Sequence, residues 1–255
     1  MAPSWNPHAI RQFDAGAGGM MPSSGRRVFA AASRELSDPD HVNSDLCRPF
    51  LRTLPITGAA ISTLGPPFGT ETVCASDDRA AQIDEFQFDL GEGPCWEALS
   101  TRRPVISADI RNPSAAWPMF VRAIEATDIG GLFAFPMFIG SLNIGAVDLY
   151  STRPGNLSMS QIDDASALVA LAARQVLRRA LLARPGVPDA IDDEGYSRRL
   201  VHQATGMLLA QLDLPAADAL LVLRGYAFSH GRTVRDVATD VVARKITFPA
   251  EYDGS

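Results

Sequence analysis

Apolar positions change period several times along this chain, and each change marks an element. From Arg27 the residues Val28, Phe29, Ala32 and Leu36 recur at helical spacing until Ser37-Asp38-Pro39 stops them. A second helical pattern runs through Val42, Leu46, Phe50, Leu51 and Leu54. Ile56 to Leu64 then reads as a strand, with Glu71 to Ala75 as its hairpin partner across Gly65-Pro66-Pro67. Asp78 to Phe86 is a short helix, Leu90 to Cys95 a tight loop, and Trp96 to Ser100 one or two helical turns. Pro104 to Ser107 is predicted as a strand and Ala116 to Thr127 as a helix. Gly131 to Phe138 and Ile144 to Tyr150 are apolar strands joined at Gly140-Ser141, and a long helix from Ser160 to Leu182 follows.

Three amphipathic patterns fill Tyr196 to Phe248. In the first, Leu200, Val201, Ala204, Met207, Leu208 and Leu212 form one stripe, and Asp213-Leu214-Pro215 ends it. Pro215 suits the first turn of the next helix, where its missing N–H has no intrahelical partner. Ala219, Leu220, Leu223, Ala227 and Phe228 line one side of that helix, and His230-Gly231 closes it with a left-handed cap. Thr233 opens the third helix, with Asp236 three residues on as a weak capping box and Val234, Val237, Ala238, Val241 and Val242 inside. Such short helices close a core only by packing on each other. Gly206 costs about 1 kcal/mol in mid-helix against Ala, which predicts a close helix approach there.

Charge divides the chain where the pattern does. Tyr196 to Phe248 holds seven Arg or Lys and four Asp, about +3, on a chain of net charge −6, which leaves about −9 on the remainder. A basic module on an acidic body is expected when one end meets a polyanion. At 255 residues, 46% apolar and 20% charged, the composition is that of an ordinary soluble protein. No apolar run is long enough to span a bilayer. Cys47, Cys74 and Cys95 are an odd count without metal-type spacing, so no disulfide framework is expected and a reducing cytoplasm fits. The four His at 8, 41, 202 and 230 form no zinc pair, and neither a phosphate-binding loop nor a GxSxG elbow occurs. No metal and no cofactor are expected.

The C-terminal stretch resembles the ANTAR domain, the RNA-binding output module of bacterial transcription antiterminators. The resemblance rests on His202 to Met207, Ala219, Leu223-Arg224, Ala227, and Val234 through Val237-Ala238. Thr205 stands where many such sequences have Lys, so a phosphate contact is expected to be missing or weakened. The resemblance implies binding to paired stem-loops in a leader or intergenic transcript, which keeps a terminator from forming. Phosphate-contact candidates are Arg198, Arg199, Arg224, Arg232, Arg235, Arg244 and Lys245. Tyr226 and Arg224 are the stacking candidates, with His202 and Gln203 behind them.

The region before it is similar to the GAF domain, of the kind found ahead of ANTAR domains in actinobacteria. The carrying stretches are Leu90 to Leu99, Val105 to Asp109, Ala116 to Phe120 and Asn143 to Tyr150. The fold implied is an α+β sensor, a central antiparallel sheet with flanking helices, followed by an all-α three-helix domain. The organisation is a mobile tail at 1–25 (with Trp5, Ile10 and Phe13 as contact points), a sensor at 26–183, an acidic linker at 184–195, the output module at 196–248 and a tail at 249–255. In GAF domains a ligand lies between the sheet and its covering segments, which makes Cys95, Trp96, Asp109, Trp117, Phe120, Phe133 and Phe135 the pocket candidates; ordinary core packing is the alternative for the aromatics. The cyclic-nucleotide signature is absent, so that ligand is not expected.

Three further expectations complete the reading. Ile162, Ala165, Val169, Ala172 and Val176 approach a heptad seam, which with Val28, Ala31, Ala32 and Leu36 predicts a homodimer through first and last sensor helices; packing on the sheet is the alternative. The function is that of a cytoplasmic, non-enzymatic antitermination regulator, binding RNA under control of a small-molecule or redox signal. The competing readings are a DNA-binding regulator with a helix-turn-helix-like output, and a GAF-fold Cys-dependent methionine sulfoxide reductase using Cys95 with Cys74 as resolving partner.

Overall fold

A computed structural model of the chain describes residues 23–41, 45–65, 67–111, 116–182 and 199–248. Residues 1–22, the expected linker at 184–195 and the tail at 249–255 lie outside the described residues, as do the candidates Trp5, Ile10, Phe13 and Arg198.

Five antiparallel strands form one sheet in the order β2-β1-β5-β4-β3. They are β1 (Gly58–Thr63), β2 (Glu71–Ala75), β3 (Val105–Ser107), β4 (Gly131–Ile139) and β5 (Leu142–Ser151). Helices α1 (Ser23–Ser37), α2 (Arg48–Thr53) and α6 (Met159–Leu182) cover one face; α3 (Asp78–Leu90), α4 (Pro94–Thr101) and α5 (Pro118–Ile124) belong to the other. The first helix starts at Ser23, four residues before the apolar pattern does, and α3 runs to Leu90, a turn beyond Phe86.

Register explains why the two faces differ. Ile61, Val147 and Phe135 lie in one cross-strand row, and Ala59, Leu149, Phe133 and Ile106 in another. These rows meet Ala165, Leu168, Val169, Ala172 and Val176 of α6 in the larger core. Alternation turns the neighbouring rows to the opposite face. There Ala60 stands beside Asp148 and Ala134, and Ser62 beside Ala146 and Pro136, a floor of mostly small side chains. Gly145 falls in the α6-facing register, and it lets β5 run close to β1: a Cβ on it would fall 1.9 Å from the Ser62 carbonyl oxygen.

The heptad-like stripe of α6 is therefore consumed by the chain's own sheet. Ala165, Val169, Ala172 and Val176 are buried in the larger core, as are Ala32 and Leu36 of α1. This corrects the expected use of the α6 seam, which is covered within one chain, while Val28 and Ala31 of α1 stay exposed. The buried Gln175 side-chain amide donates to the carbonyls of Leu36 (2.8 Å) and Asp38 (2.9 Å), closing the C-terminal end of α1.

The expectation of three reduced cysteines is also corrected. Cys47, at the start of α2, is disulfide-bonded to Cys74 of β2 across 27 residues. Spacing alone could not show that the start of α2 meets that edge of the sheet.

The C-terminal unit consists of α7 (Arg199–Leu212), α8 (Ala216–Ser229) and α9 (Val234–Val242). Val201, Ala204, Leu208, Ala219, Leu223, Ala227, Val234, Val237, Ala238 and Val241 form its core. Thr233 caps α9 by accepting from the Asp236 N–H at 3.0 Å. Phe228, expected inside, is 62% exposed, because it sits one 100° step beyond Ala227. Gly206 also departs from expectation: a Cβ there would meet nothing within 4 Å, so no helix among the described residues approaches it.

Truncation should separate the two uses proposed for the α6 stripe. Leu168→Ala is expected to cost about 2–5 kcal/mol in denaturant unfolding, and Val169→Asp to lose folded protein rather than yield a stable monomer. Val28→Ala, at an exposed site, should stay within about 0.5 kcal/mol.

Candidate functional site

On the small-residue face of the sheet, α3 carries a polar row into a buried place. Asp77 caps the helix by accepting from the Ala80 N–H at 2.9 Å, and the Tyr150 hydroxyl donates to the same carboxylate at 2.9 Å. Further along, Asp84 accepts from the Thr72 hydroxyl. Asp84, Gln87, Asp148 and Ser62 are all buried.

Gln87 joins three elements through one side chain and one carbonyl. Its amide donates to Asp148 Oδ2 at 2.8 Å, and its Oε1 accepts from the Cys95 N–H at 2.8 Å. Its backbone carbonyl accepts from the Trp96 indole at 2.7 Å. The first bond ties α3 to the sheet and the other two tie it to α4. Burial, and then the charge of Asp84, push the Asp148 carboxyl up to about 8 against the pull of the Gln87 bond, so Asp148 is mostly protonated at neutral pH.

The loop after α3 fastens the next helix. Glu92 Oε1 accepts from the N–H groups of Met119 and Phe120, at 2.6 and 2.7 Å, where the first turn of α5 has no intrahelical partners. Trp117 and Phe120 are buried with Ile83 and Ile124. Cys95 is buried with Leu64 and Ala146, and Trp96 packs on that group.

The pocket candidates thus divide. Cys95, Trp96, Trp117 and Phe120 lie on the α3–α5 side, whereas Phe133 and Phe135 point into the α6 core. For Phe133 and Phe135 the alternative of ordinary core packing therefore holds. Asp109 accepts from the Arg111 N–H at 3.2 Å and from its guanidinium at 3.1 Å, a local turn. A cleft of about 620 Å³ opens along β3, lined by Glu97, Thr101, Arg103, Val105, Ser107, Asp109 and Trp117 among others.

In the C-terminal unit the basic candidates also separate. Arg232 and Lys245 converge on Asp240, at 2.7 and 3.3 Å, and hydrogen bonds from Arg232 and then Lys245 hold its carboxyl below the ordinary range. Tyr226 stacks on His230 with ring centroids 4.0 Å apart and meets Phe248 edge-on at 5.1 Å. Arg199 opens α7; Gln203 and Arg244 are exposed, and Arg235 is half-buried.

Arg224 and His202 turn toward the sensor. The Arg224 guanidinium lies 4.8 Å from the Phe88 ring centre and 5.9 Å from that of Trp96. The His202 ring nitrogen Nε2 is 3.3 Å from the Thr70 carbonyl oxygen. Phe88 itself is buried in the core of the three helices, and the Val234 N–H, at the start of α9, donates to Asp89 at 3.2 Å.

The GAF domain profile matches residues 37–175, more than half of the chain. This chain belongs to the GAF domain family. The ANTAR domain profile matches residues 195–242, so the GAF domain is followed by a C-terminal ANTAR domain. A solved GAF domain from an Acinetobacter phosphoenolpyruvate-protein phosphotransferase is similar with TM-score 0.51 at 9% identity, over 65% of this chain and 99% of that one. The GAF domain of the Coxiella burnetii phosphoenolpyruvate-protein phosphotransferase gives 0.48 at 11%, over 62% and 95%. Free methionine-R-sulfoxide reductase from Neisseria meningitidis gives 0.46 at 11%, over 64% and 96%. Among curated proteins none matches.

Domain content is that of a regulatory protein. Cys74, the resolving partner that a reductase reading requires for Cys95, is bonded to Cys47 instead. No helix among the described residues is long and apolar enough to cross a membrane. Sequence reasoning missed Gln87, Phe88, Asp89 and Asp148 as a group, although Gly91 to Cys95 pointed at the loop beside them.

Asp148 makes GAF domain stability depend on pH. Its folded value lies above the ordinary carboxylate 3.8, so its contribution is complete below 3.8 and is lost as pH rises to about 8. Relative to Asp148→Asn, the wild-type unfolding free energy should fall by up to about 1.4 kcal/mol per pH unit across that window, then level off. Urea unfolding of both proteins between about pH 5 and about 9 checks it.

Proposed function

We propose that the chain is a transcription antitermination regulator that binds stem-loop RNA through its ANTAR domain, under control of a signal received by the GAF domain. The observation that carries this is the ANTAR unit matched over residues 195–242, within a three-helix segment that with Arg244 and Lys245 is basic on an acidic chain. The RNA-facing set is Arg198, Arg199, His202, Gln203, Arg224, Tyr226, Arg232, Arg235, Arg244 and Lys245. Arg232 and Lys245 present their charge across Asp240, so neither acts as an isolated cation.

Gly206 supports the same surface. It lies one turn from His202 on an exposed side of α7, and a Cβ on it would meet nothing within 4 Å among the described residues. A helix interior accepts the cost of Gly where another backbone must come close, and within the described residues none does. An RNA strand at that position accounts for it.

For the sensor, the cleft along β3 has the make-up of a small-molecule site. Glu97, Arg103 and Asp109 supply both signs of charge, while Val105, Ile106 and Trp117 supply an apolar wall. A small polar molecule there is the signal this reading favours.

Two measurements test the RNA assignment. In gel shifts at fixed salt, the full chain should prefer a tandem stem-loop RNA to duplex DNA of the same sequence; equal or better duplex binding favours a DNA-binding regulator instead. Gly206→Ala should raise unfolding stability by about 1 kcal/mol while weakening stem-loop binding. A variant that is stabilised and binds RNA as before would clear RNA from that face.

A further inference from the structure

The ANTAR domain is seated on the GAF domain through side chains that RNA would need. Phe88, at the end of α3, is buried among residues of all three ANTAR helices, with Val201, Leu208, Leu223 and Val237 in the same core. The next residue, Asp89, accepts from the first N–H of α9, where a carboxylate also meets the positive end of the helix dipole. Gly91, in the left-handed region at φ 65°, ends α3; a Cβ on it would fall 2.9 Å from Arg224 Nη1. The guanidinium thus lies against a loop that only glycine leaves open.

Arg224 is covered in a way that matters for recognition. Its guanidinium lies over the Phe88 ring and near Trp96, in the place an unpaired base would otherwise take beside it. His202 is held at the Thr70 carbonyl. Asp89 places a negative charge beside the start of α9, where a phosphate would have to come. One surface of the module therefore cannot serve both neighbours at once.

We propose that the α3–α4 face of the GAF domain and RNA compete for the same surface of the ANTAR domain, so that the docked chain is the RNA-silent form. This rests on the RNA-binding reading above. It adds where control is exerted: RNA binds when the module leaves Phe88, Asp89 and Trp96. Gln87 supplies the connection to the sensor interior, since it precedes Phe88, holds the Trp96 indole and bonds Asp148. A change at the sheet that moves Gln87 moves both sides of the Arg224 cradle.

Apparent affinity for RNA is lowered by the fraction of chains that are undocked. Full-length Asp89→Lys and Phe88→Ala are compared with wild type, using a tandem stem-loop RNA enriched from a randomised-loop pool. Undocking is read separately, as access of iodide to Trp96, taken as the fluorescence difference from Trp96→Phe. Asp163→Lys makes the same charge change on an exposed part of α6 and should leave both readings at wild type. The expected result is a more accessible Trp96 in both variants, retained helix content, and stem-loop affinity raised about tenfold or more. Trp96 opened with RNA affinity unchanged or lower overturns the competition and leaves the RNA reading standing. Trp96 still closed in both variants shows that these residues do not hold the module, which also overturns it. No stem-loop binding by any of the proteins removes the RNA reading, and the competition with it.

Discussion

Gln87 and Phe88 are consecutive residues of α3, and between them they hold the two halves of the molecule. A helix turns about 100° between neighbours, so two adjacent side chains address different partners. Gln87 goes into the sensor, to Asp148 on the sheet and to the first turn of α4. Phe88 goes out of it, into the core of the three ANTAR helices. A buried carboxamide with its oxygen and nitrogen both engaged resists rotation, because breaking either bond leaves a polar group unsatisfied away from water. That constraint sets the rotation of α3, which sets where Phe88 and Asp89 stand.

The floor beneath α3 completes the argument. Ala60, Ala134 and Ala146 are small enough for helices to lie close, and that closeness buries Asp148 beside Asp84. Burial, and then the neighbouring charge of Asp84, raise the Asp148 carboxyl to about 8. On the opposite face, Phe133, Phe135 and Leu149 fill the space under α6 and anchor the sheet. One face of the GAF domain is filled with large apolar side chains, and the other carries the buried polar groups.

Much of the fold was legible in the chain because each element buries a single face. The three ANTAR stripes and the strand alternation of β4 and β5 follow from that alone. What the pattern could not supply is the partner of each face. The stripe of α6 has the same spacing whether it meets a second chain or the sheet, and it meets the sheet. Phe133 and Phe135 share a face, but alternation does not say which layer covers it. Gln87 and Asp148 are 61 residues apart, and neither carries a local signature. Cys47 and Cys74 were hidden in the same way. The stretch around Gly91 carried the GAF resemblance, but nothing in it marked Phe88 and Asp89 as the residues that meet the ANTAR helices.

The joint between the two domains carries the account, and the Val234 amide reports on it directly. As the first N–H of α9 it has no acceptor within its helix, and Asp89 of the sensor supplies one. Amide hydrogen exchange on the full chain, with and without stem-loop RNA, follows that single bond. The account predicts a Val234 amide that is protected in the RNA-free chain and loses protection when RNA binds, while Leu223 within α8 stays protected. Unchanged Val234 protection with RNA bound would contradict it, since RNA and sensor would then hold the module together.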